Sequence, residues 1–216
     1  MPNSSYSQYG EDLILKGLME RDQIDLSKKG FYLDVGAHHP TRFSNTKLFY
    51  DLGWGGINIE PNEGIKNLFD KTRPRDKTLE IGLGKRCGYQ KFFLYNESAL
   101  NSCNNRDSEL SDTPYSSTGS KVIEITRMED ILNEFHAERL PEPNFLDIDV
   151  EGLEMEVLEG NNWDKFKFNY VLIEQKIQSI DSIKHSSLFI FLSDKGYEIL
   201  AHNGLTGFYR HRPNLK

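Results

Sequence analysis

The stretch FYLDVGAHHP, residues 31–40, decides the fold of this chain. Its apolar run contains one acid, Asp34, and is followed by Gly36. Such a run predicts a buried parallel strand that leads into a loop. A buried carboxylate needs a partner, and a glycine lets a ligand approach the backbone closely. Asp34 and Gly36 therefore predict a small-molecule site at the carboxyl end of this strand.

The composition favours one globular α/β domain over residues 1–216, because 37% of the chain is hydrophobic and 12% is aromatic. Its 26 Lys and Arg against 33 Asp and Glu give a formal net charge of -7, which disfavours nucleic acid as a partner. The sequence shows neither a membrane-spanning apolar run nor the start of a signal peptide. We therefore expect a cytoplasmic protein without a membrane span. Cys87 and Cys103 lack the spacing of a zinc site, so we expect two reduced thiols.

The residues after the first strand repeat the pattern. RFSNTKLFYDLGW (42–54) predicts a helix, and GGINIEP (55–61) predicts a second strand that ends at Glu60. A strand, helix and strand with an acid at each carboxyl end is the layout of nucleotide-binding units, in which the second acid accepts hydrogen bonds from ribose hydroxyls. TLEIGLG (78–84) predicts a third strand, whose glycines permit a flat ring to approach the backbone.

A long polar loop then interrupts the alternation of strands and helices. Residues 96–120 are rich in Ser, Asn, Thr and Asp and separate two strand-like runs. Loops of this length are commonly functional or disordered. Our hypothesis is a lid over the substrate, and the alternative is a mobile surface loop.

A second strong signal is NFLDIDVEGLEMEVLEG (144–160), a strand followed by a helix. Strand alternation predicts that Asp147, Asp149 and Glu151 share one face. The fifth strand, FNYVLIEQK, ends at Glu174, and a helix is expected over about 181–195. The tail YEILAHNGLTGFYRHR predicts an antiparallel hairpin.

Six pieces of sequence, in this order, resemble FkbM-type S-adenosylmethionine-dependent methyltransferases. They are SQYGEDL, FYLDVGA, GINIEP, IGLG, LDIDVEGLEMEVLEG and VLIEQK. The resemblance implies a Rossmann-like class I fold, with a mostly parallel seven-stranded sheet, helices on both faces and a C-terminal antiparallel hairpin. It also implies O-methylation, commonly of sugars in surface polysaccharides or of specialised small molecules. The expected acceptor is therefore a sugar, a glycan or another small molecule with a hydroxyl.

The same resemblance implies roles for residues at matching positions. Asp34 and Gly36 would lie at the amino acid end of S-adenosylmethionine, Glu60 at its ribose, and Gly82 with Leu83 at its adenine. Residues 1–29 would form a helical segment that covers the cofactor, and its matching positions are Ser7, Gln8 and Gly10.

Methyl transfer from a sulfonium requires an oxygen that is held in line and loses its proton. One hypothesis makes His39 or Asp149 the general base, with His38 and Glu151 as further candidates at the same strand ends. The other places Mg²⁺ or Ca²⁺ between Asp149 and Glu174, where it would polarise the acceptor hydroxyl. The sequence leaves both hypotheses open.

Two other classes of protein share such a core. An NAD-dependent oxidoreductase is the first, but the loop after the first strand reads GAHHP rather than GxGxxG. A non-catalytic nucleotide-binding domain is the second, since a fold does not determine a function. The sequence leaves the oligomeric state open.

Overall fold

The computed structural model describes residues 4–136 and 139–212. The predicted segment 1–29 therefore begins, and the predicted domain 1–216 ends, outside the described residues. The strands are β1 (Phe31–Val35), β2 (Gly55–Ile59), β3 (Lys77–Leu79), β4 (Gly82–Leu83), β5 (Gly88–Tyr95), β6 (Ser117–Thr126), β7 (Asn144–Ile148), β8 (Tyr170–Glu174), β9 (Tyr197–His202) and β10 (Thr206–His211). The helices are α1 (Glu11–Arg21), α2 (Lys47–Asp51), α3 (Ile65–Thr72), α4 (Met128–Phe135), α5 (Glu154–Glu159) and α6 (Ser187–Asp194).

The described residues form one seven-stranded sheet, in the order β3-β2-β1-β7-β8-β10-β9. The first five strands in this order run parallel, whereas β10 is antiparallel to both β8 and β9. The prediction of an α/β protein with a mostly parallel sheet and an antiparallel C-terminal hairpin is therefore confirmed. A smaller sheet pairs β4, β6 and β5.

Both faces of the large sheet are buried, as the apolar runs predict for parallel strands. On one face, Leu33 of β1 belongs to a core with residues of α4, α5 and α6. On the other face, Tyr32 packs in a core with Leu15 of α1 and Phe49 of α2. The core on both sides fixes the strands, so the loops at their carboxyl ends are held at defined positions.

The prediction of a single third strand over 78–84 is wrong. β3 pairs with β2 in the large sheet, whereas β4 pairs with β6 in the small sheet. A side chain at Gly82 would lie 2.6 Å from Ile125 Cδ1 of β6. The glycine thus allows β4 to lie close against β6, which carries the chain from one sheet to the other.

Two further boundaries differ from the sequence prediction. The expected helix over 181–195 consists of a 3-10 turn, Ile180–His185, and then α6, because Ser186 between them has an extended backbone and caps α6 with its side chain. The polar loop ends before Ser117, where β6 begins, and not at residue 120. The first residues of β6 have a polar, loop-like sequence, but they form a strand because β6 pairs with β5 along the whole of β5.

Candidate active site

The carboxyl ends of β1 and β7 lie side by side and form the centre of the site. The backbone N–H of Asp149 donates to the carbonyl of Val35 at 2.9 Å, and that of Gly36 donates to the carbonyl of Ile59. Gly36 has a φ of +86°, and a Cβ there would lie 1.8 Å from the carbonyl oxygen of Asp149. This position therefore requires glycine for two reasons, its backbone conformation and the space around it.

An inner cleft of about 630 Å³ opens between these strand ends and the small sheet. Four residues that the sequence predicted for cofactor binding line it: Gly36, Glu60, Gly82 and Leu83. Its apolar wall comes from Ile81, Phe92, Ile123, Ile125 and Leu153. An apolar cleft with a few polar groups is typical of small-molecule sites.

Glu60 is the main polar group of the inner cleft. One carboxylate oxygen accepts a hydrogen bond from the backbone N–H of His38 at 2.7 Å, and the other accepts from that of Asn62 at 2.9 Å. The side chain is buried, and burial raises the pKa of Glu60 to about 7, although the two N–H donors act in the opposite direction. The contacts fix the carboxylate and orient it at the cleft.

Asp34 is not among the residues that line the inner cleft, in contrast to its predicted place at the cofactor. Its carboxylate accepts from Thr46 Oγ1 at 2.5 Å and lies in a buried network with Arg73 and Asp76. Burial raises the pKa of Asp34 to about 6, while Arg73 and Thr46 oppose that shift. Strand alternation explains the difference, because it puts Asp34 on the face of Tyr32, which α2 covers.

The predicted N-terminal residues lie in three different places. Gln8 lines a second cleft, described below. Ser7 instead donates its hydroxyl to Asp12 Oδ1 at 2.9 Å, and Gly10 precedes α1 with a φ of +83°. Asp12 therefore holds the segment before α1. Of the three predicted residues in this region, Gln8 lines a cleft, whereas Ser7 and Gly10 do not.

The two histidines after β1 have different surroundings. His38 lines both clefts, adopts a φ of +49°, and its Nδ1 is a buried atom without a hydrogen-bond partner among the described residues. His39 lines neither cleft, and its Nδ1 accepts from the backbone N–H groups of Thr41 and Arg42. The pKa of each imidazole is lowered, first by burial and then by the charge of Arg42. The structure therefore brings His38, but not His39, to the centre of the site.

The outer cleft has a volume of about 940 Å³ and lies beside the inner one. The two share five lining residues: Gly36, His38, Ala99, Asp149 and Glu151. The rest of its wall includes Tyr9 and Phe43, with Glu174 and Lys176 at the end of β8. A molecule in one cleft can thus meet a molecule in the other across Gly36 and Asp149.

The family of the chain follows from a comparison with known families. The model of the methyltransferase FkbM domain matches residues 34–199, which is more than half of the chain. The chain belongs to the FkbM methyltransferase family. No curated protein matches it. The recognition made from the six sequence pieces is confirmed. The FkbM domain contains every lining residue of the inner cleft, whereas the outer cleft also has lining residues before and after the domain.

Within this FkbM domain, the predicted acids separate into two groups. β7 ends at Ile148, so the prediction that Asp147, Asp149 and Glu151 share one strand face is wrong. Asp147 is buried and accepts from Asn45 Nδ2 at 3.2 Å. Asp149 and Glu151 follow the strand, and Glu151 adopts a φ of +56° that turns the chain away from the extended direction.

Asp149 lies instead with Glu154 and Glu174. One carboxylate oxygen from each of the three is within 4.8 Å of the others. The Asp149 side chain is exposed to solvent where the two clefts meet. Enclosure of its carboxyl by the surrounding protein, together with the charges of Glu174 and Glu151, raises the pKa of Asp149, and the contact with solvent limits this rise.

Glu154 was not predicted from the sequence. It is buried in the first turn of α5, and its Oε1 accepts from the backbone N–H groups of Val150 and Gly152. It therefore braces the turn that carries Asp149 as well as adding a carboxylate to the group. The one feature of the sequence that could have pointed to Glu154 is its position shortly after a glycine, at the start of a predicted helix.

The polar loop was predicted, but its contacts were not. Its Asn101 donates to Asn62 Oδ1 at 2.6 Å, and the side chains of Ser102 and Asn104 donate to the carbonyl of Glu151. Arg106 is 7% exposed and lies 2.5 Å from Glu151 Oε2 through its Nη1. The loop therefore covers the site through specific bonds rather than through its composition alone.

Proposed function

We propose that the chain transfers a methyl group from S-adenosylmethionine to a hydroxyl of a sugar or glycan, as an O-methyltransferase with a class I Rossmann-like fold. The observation that carries this proposal is the contact between the two clefts at Gly36 and Asp149. Membership in the FkbM family supports methyl transfer. Each cleft then has one task, the inner one for the cofactor and the outer one for the acceptor.

The residues of the inner cleft fit S-adenosylmethionine. Glu60 presents a fixed carboxylate, which suits the two neighbouring hydroxyls of a ribose. Leu83 and Phe92 offer an apolar wall for the adenine. Gly36 lies in the wall of the inner cleft, where its missing side chain makes room for the carbonyl of Asp149 at the proposed methionine end. The Nδ1 of His38, which has no hydrogen-bond partner among the described residues, can serve a polar group there. Bound in this way, S-adenosylmethionine supplies a methyl group on a positively charged sulfur.

Removal of the acceptor proton is assigned to Asp149. Its carboxyl lies between the two clefts, and its raised pKa makes the carboxylate a stronger base than an ordinary Asp. His38 is the second candidate, because it lines both clefts. Glu151 is held by Arg106 and Lys176 and is better suited to positioning. His39 loses support as the base, because its Nδ1 is used by the backbone of its own loop.

A divalent cation is the second version of this mechanism. The carboxylates of Asp149, Glu154 and Glu174 have the oxygen ligands that Mg²⁺ and Ca²⁺ prefer, at a spacing that one ion could span. Such an ion would acidify the acceptor hydroxyl in place of a general base. Methyl transfer that continues after exhaustive chelation would remove this version and leave Asp149 as the base.

Two segments are proposed to cover the clefts. Residues before α1 place Gln8 and Tyr9 in the wall of the outer cleft and not of the inner one, so the proposed covering segment within 1–29 reaches the acceptor side of the site. The polar loop contributes Ala99 to both clefts, which supports a role as a substrate lid. Comparing hydrogen exchange of this loop with and without ligands would test the second role, and unchanged exchange would contradict it.

The first experiment is a thermal shift titration with S-adenosylmethionine, S-adenosylhomocysteine and NAD, with and without a chelator. A ligand at 100 times its dissociation constant stabilises the folded state by about 2.7 kcal/mol, which raises the Tm by several degrees. We expect a shift with the first two compounds and not with NAD. A shift with NAD alone would favour an oxidoreductase, and no shift with any of them would favour a non-catalytic domain.

The acceptor requires a second experiment. Incubation with methyl-labelled S-adenosylmethionine and a panel of glycans and hydroxylated metabolites would show which compounds become labelled. Label on a sugar oxygen supports the proposal. Label on a specialised metabolite that is not a sugar would favour the alternative acceptor class. Within the described residues, no helix has the length and apolar character that a membrane crossing needs.

A further inference from the structure

The charges of the outer cleft are unbalanced. Its wall contains four carboxylates, those of Glu11, Asp149, Glu151 and Glu174, and two cationic side chains, Arg106 and Lys176. A cleft with an excess of one charge raises the local concentration of ligands with the opposite charge. When these carboxyls are ionised, the wall therefore favours a positively charged group and opposes a phosphate or a carboxylate.

Both cationic side chains are already paired within the protein. Arg106 donates two hydrogen bonds to Glu109, at 2.9 and 2.7 Å, and its Nη1 lies 2.5 Å from Glu151. Lys176 Nζ lies 3.1 Å from Glu174 and 3.4 Å from Glu151. An anionic acceptor would have to break these ion pairs in order to gain a partner.

Two of the carboxylates have no such cationic partner. The ion pairs of the described residues include neither Glu11 nor Asp149. Glu11 is buried, and its oxygens accept from the neutral donors Tyr9 N and Asn203 Nδ2, both at 2.8 Å. Its negative charge is thus fixed in the wall and is not neutralised by a neighbour. A cation in the cleft would interact with it favourably.

Aromatic rings give a second, independent indication of the ligand. Tyr9 and Phe43 line the outer cleft and remain 57% and 40% exposed. The ring of Phe43 is held beside His38, at 6.3 Å between centroids, and below the guanidinium of Arg42. Exposed aromatic faces in a cleft attract ammonium groups through their ring quadrupole. They also provide flat surfaces for an apolar face of a ring.

From the cavity, its aromatic rings and its uncompensated carboxylates, we propose that the acceptor is a hydroxylated ring that carries a protonated amine, an amino sugar in chemical class. Tyr9 contacts the ammonium group, Phe43, whose ring already carries the guanidinium of Arg42, packs against the sugar ring, and the carboxylates of the wall balance the charge. This inference rests on the proposed function, because it assumes that the outer cleft is the acceptor site.

The test compares three matched probes: glucosamine, glucose and glucose 6-phosphate. Each is titrated at low salt into the protein saturated with S-adenosylhomocysteine, at a pH where the amine is protonated, with binding followed by ligand-observed NMR. We expect glucosamine to bind about fivefold more tightly than glucose, and glucose 6-phosphate to bind most weakly. In Glu11→Gln, which removes a carboxylate without a cationic partner among the described ion pairs, the preference for glucosamine should shrink towards that for glucose.

Variants of the aromatic residues separate this site from the rest of the surface. Tyr9→Ala and Phe43→Ala should each weaken glucosamine binding about threefold or more while S-adenosylhomocysteine still binds. Tyr89→Ala is the matched control, because Tyr89 is 80% exposed on β5 and lies outside the outer cleft. Its binding of glucosamine should equal that of the unmodified protein.

Equal binding of the three probes, tighter binding of glucose 6-phosphate, or no binding of glucosamine would overturn the inference. Titration of S-adenosylhomocysteine in the same samples distinguishes failure of the acceptor class from failure of the proposed methyl transfer. If it binds and glucosamine is not preferred, the acceptor class is wrong and the proposed methyl transfer stands. If it does not bind, the proposed function fails, and this inference fails with it.

Discussion

The carbonyl oxygen of Asp149 lies where a side chain at Gly36 would have to be, 1.8 Å from the position of its Cβ. The loops after β1 and β7 are thus in direct backbone contact at the point where the two clefts meet. The contact depends on a glycine with a φ of +86°. It ties the cofactor side of the site to the residue that we assign as the base.

Replacing Gly36 with alanine should therefore separate the two loops. We expect loss of S-adenosylhomocysteine binding, together with a decrease of more than about 1 kcal/mol in the free energy of unfolding. Isothermal titration and urea denaturation measure these two effects. The matched control is Gly64→Ala, because Gly64 has a φ of +81° but nothing within 4 Å of its Cβ position. Equal losses in both variants would mean that backbone conformation, and not the contact with Asp149, is responsible.

The pKa of Glu60 makes stability depend on pH. Burial raises it from 4.5 to about 7, so between these values the unfolded chain has released a proton that the folded chain still holds. The stabilisation is complete below about pH 4.5 and is lost as the pH rises through about 7. Without ligand, the free energy of unfolding should decrease over this range by up to roughly 3 kcal/mol through this group.

Glu60→Gln removes the titrating group and should flatten that part of the profile. Urea denaturation at a series of pH values, on both proteins, gives the difference directly. Asp34 titrates in the same direction, but it is present in both proteins and cancels in the comparison. Parallel profiles for the two proteins would show that Glu60 does not carry the effect. The same variant should bind S-adenosylhomocysteine about tenfold more weakly, because an amide cannot accept both backbone hydrogen bonds.

Asp149 should control the pH dependence of the rate. The base must be ionised, and its pKa is raised, so kcat/KM should rise with pH through a value above that of an ordinary Asp. Asp149→Asn should lower kcat by a factor of about 100 to 10,000 while cofactor binding persists. Asp164→Asn, at an exposed position, is the control. A retained rate and pH profile in Asp149→Asn would transfer the role of base to His38.

Arg73 is expected to be essential for stability rather than for chemistry. Its guanidinium is fully buried and pairs with Asp76, Tyr32 and Thr46. Arg73→Met would leave Asp76 buried without its cation, which costs about 3 to 5 kcal/mol. Lys66→Met breaks an exposed ion pair with Asp70 and should cost less than about 1 kcal/mol. Chemical denaturation of both variants checks the contrast, and similar costs would contradict it.

Sequence patterns predicted the fold well where the residues of a single strand were enough to identify that strand. The apolar runs of β1, β2, β7 and β8 predicted the parallel strands, and Glu60 was found because it ends such a run. Asp34 and Asp147 lie within similar runs, and their side chains are buried in the fold. Alternation gives the face of a side chain, but it does not reveal which element covers that face.

The residues that sequence analysis missed depend on contacts between distant segments. Arg106 lies in a loop without periodicity, and its burial comes from Glu109 and Glu151. Phe43 was placed in a helix, whereas α2 begins at Lys47 and Phe43 adopts a φ of +56° in the preceding loop. Neither position has a local pattern that could have predicted it. The clefts themselves arise where these segments meet.

The polar loop forms a wall of both clefts through Ala99, and it is bonded to the turn at Glu151 by Ser102 and Asn104. If this segment acts as the proposed lid, its displacement would open both clefts together. The two products, the demethylated cofactor and the methylated acceptor, would then leave their clefts during the same opening of the loop. Their release would be a single kinetic step. A slow loop would then limit turnover for every acceptor alike, whatever the reactivity of its hydroxyl.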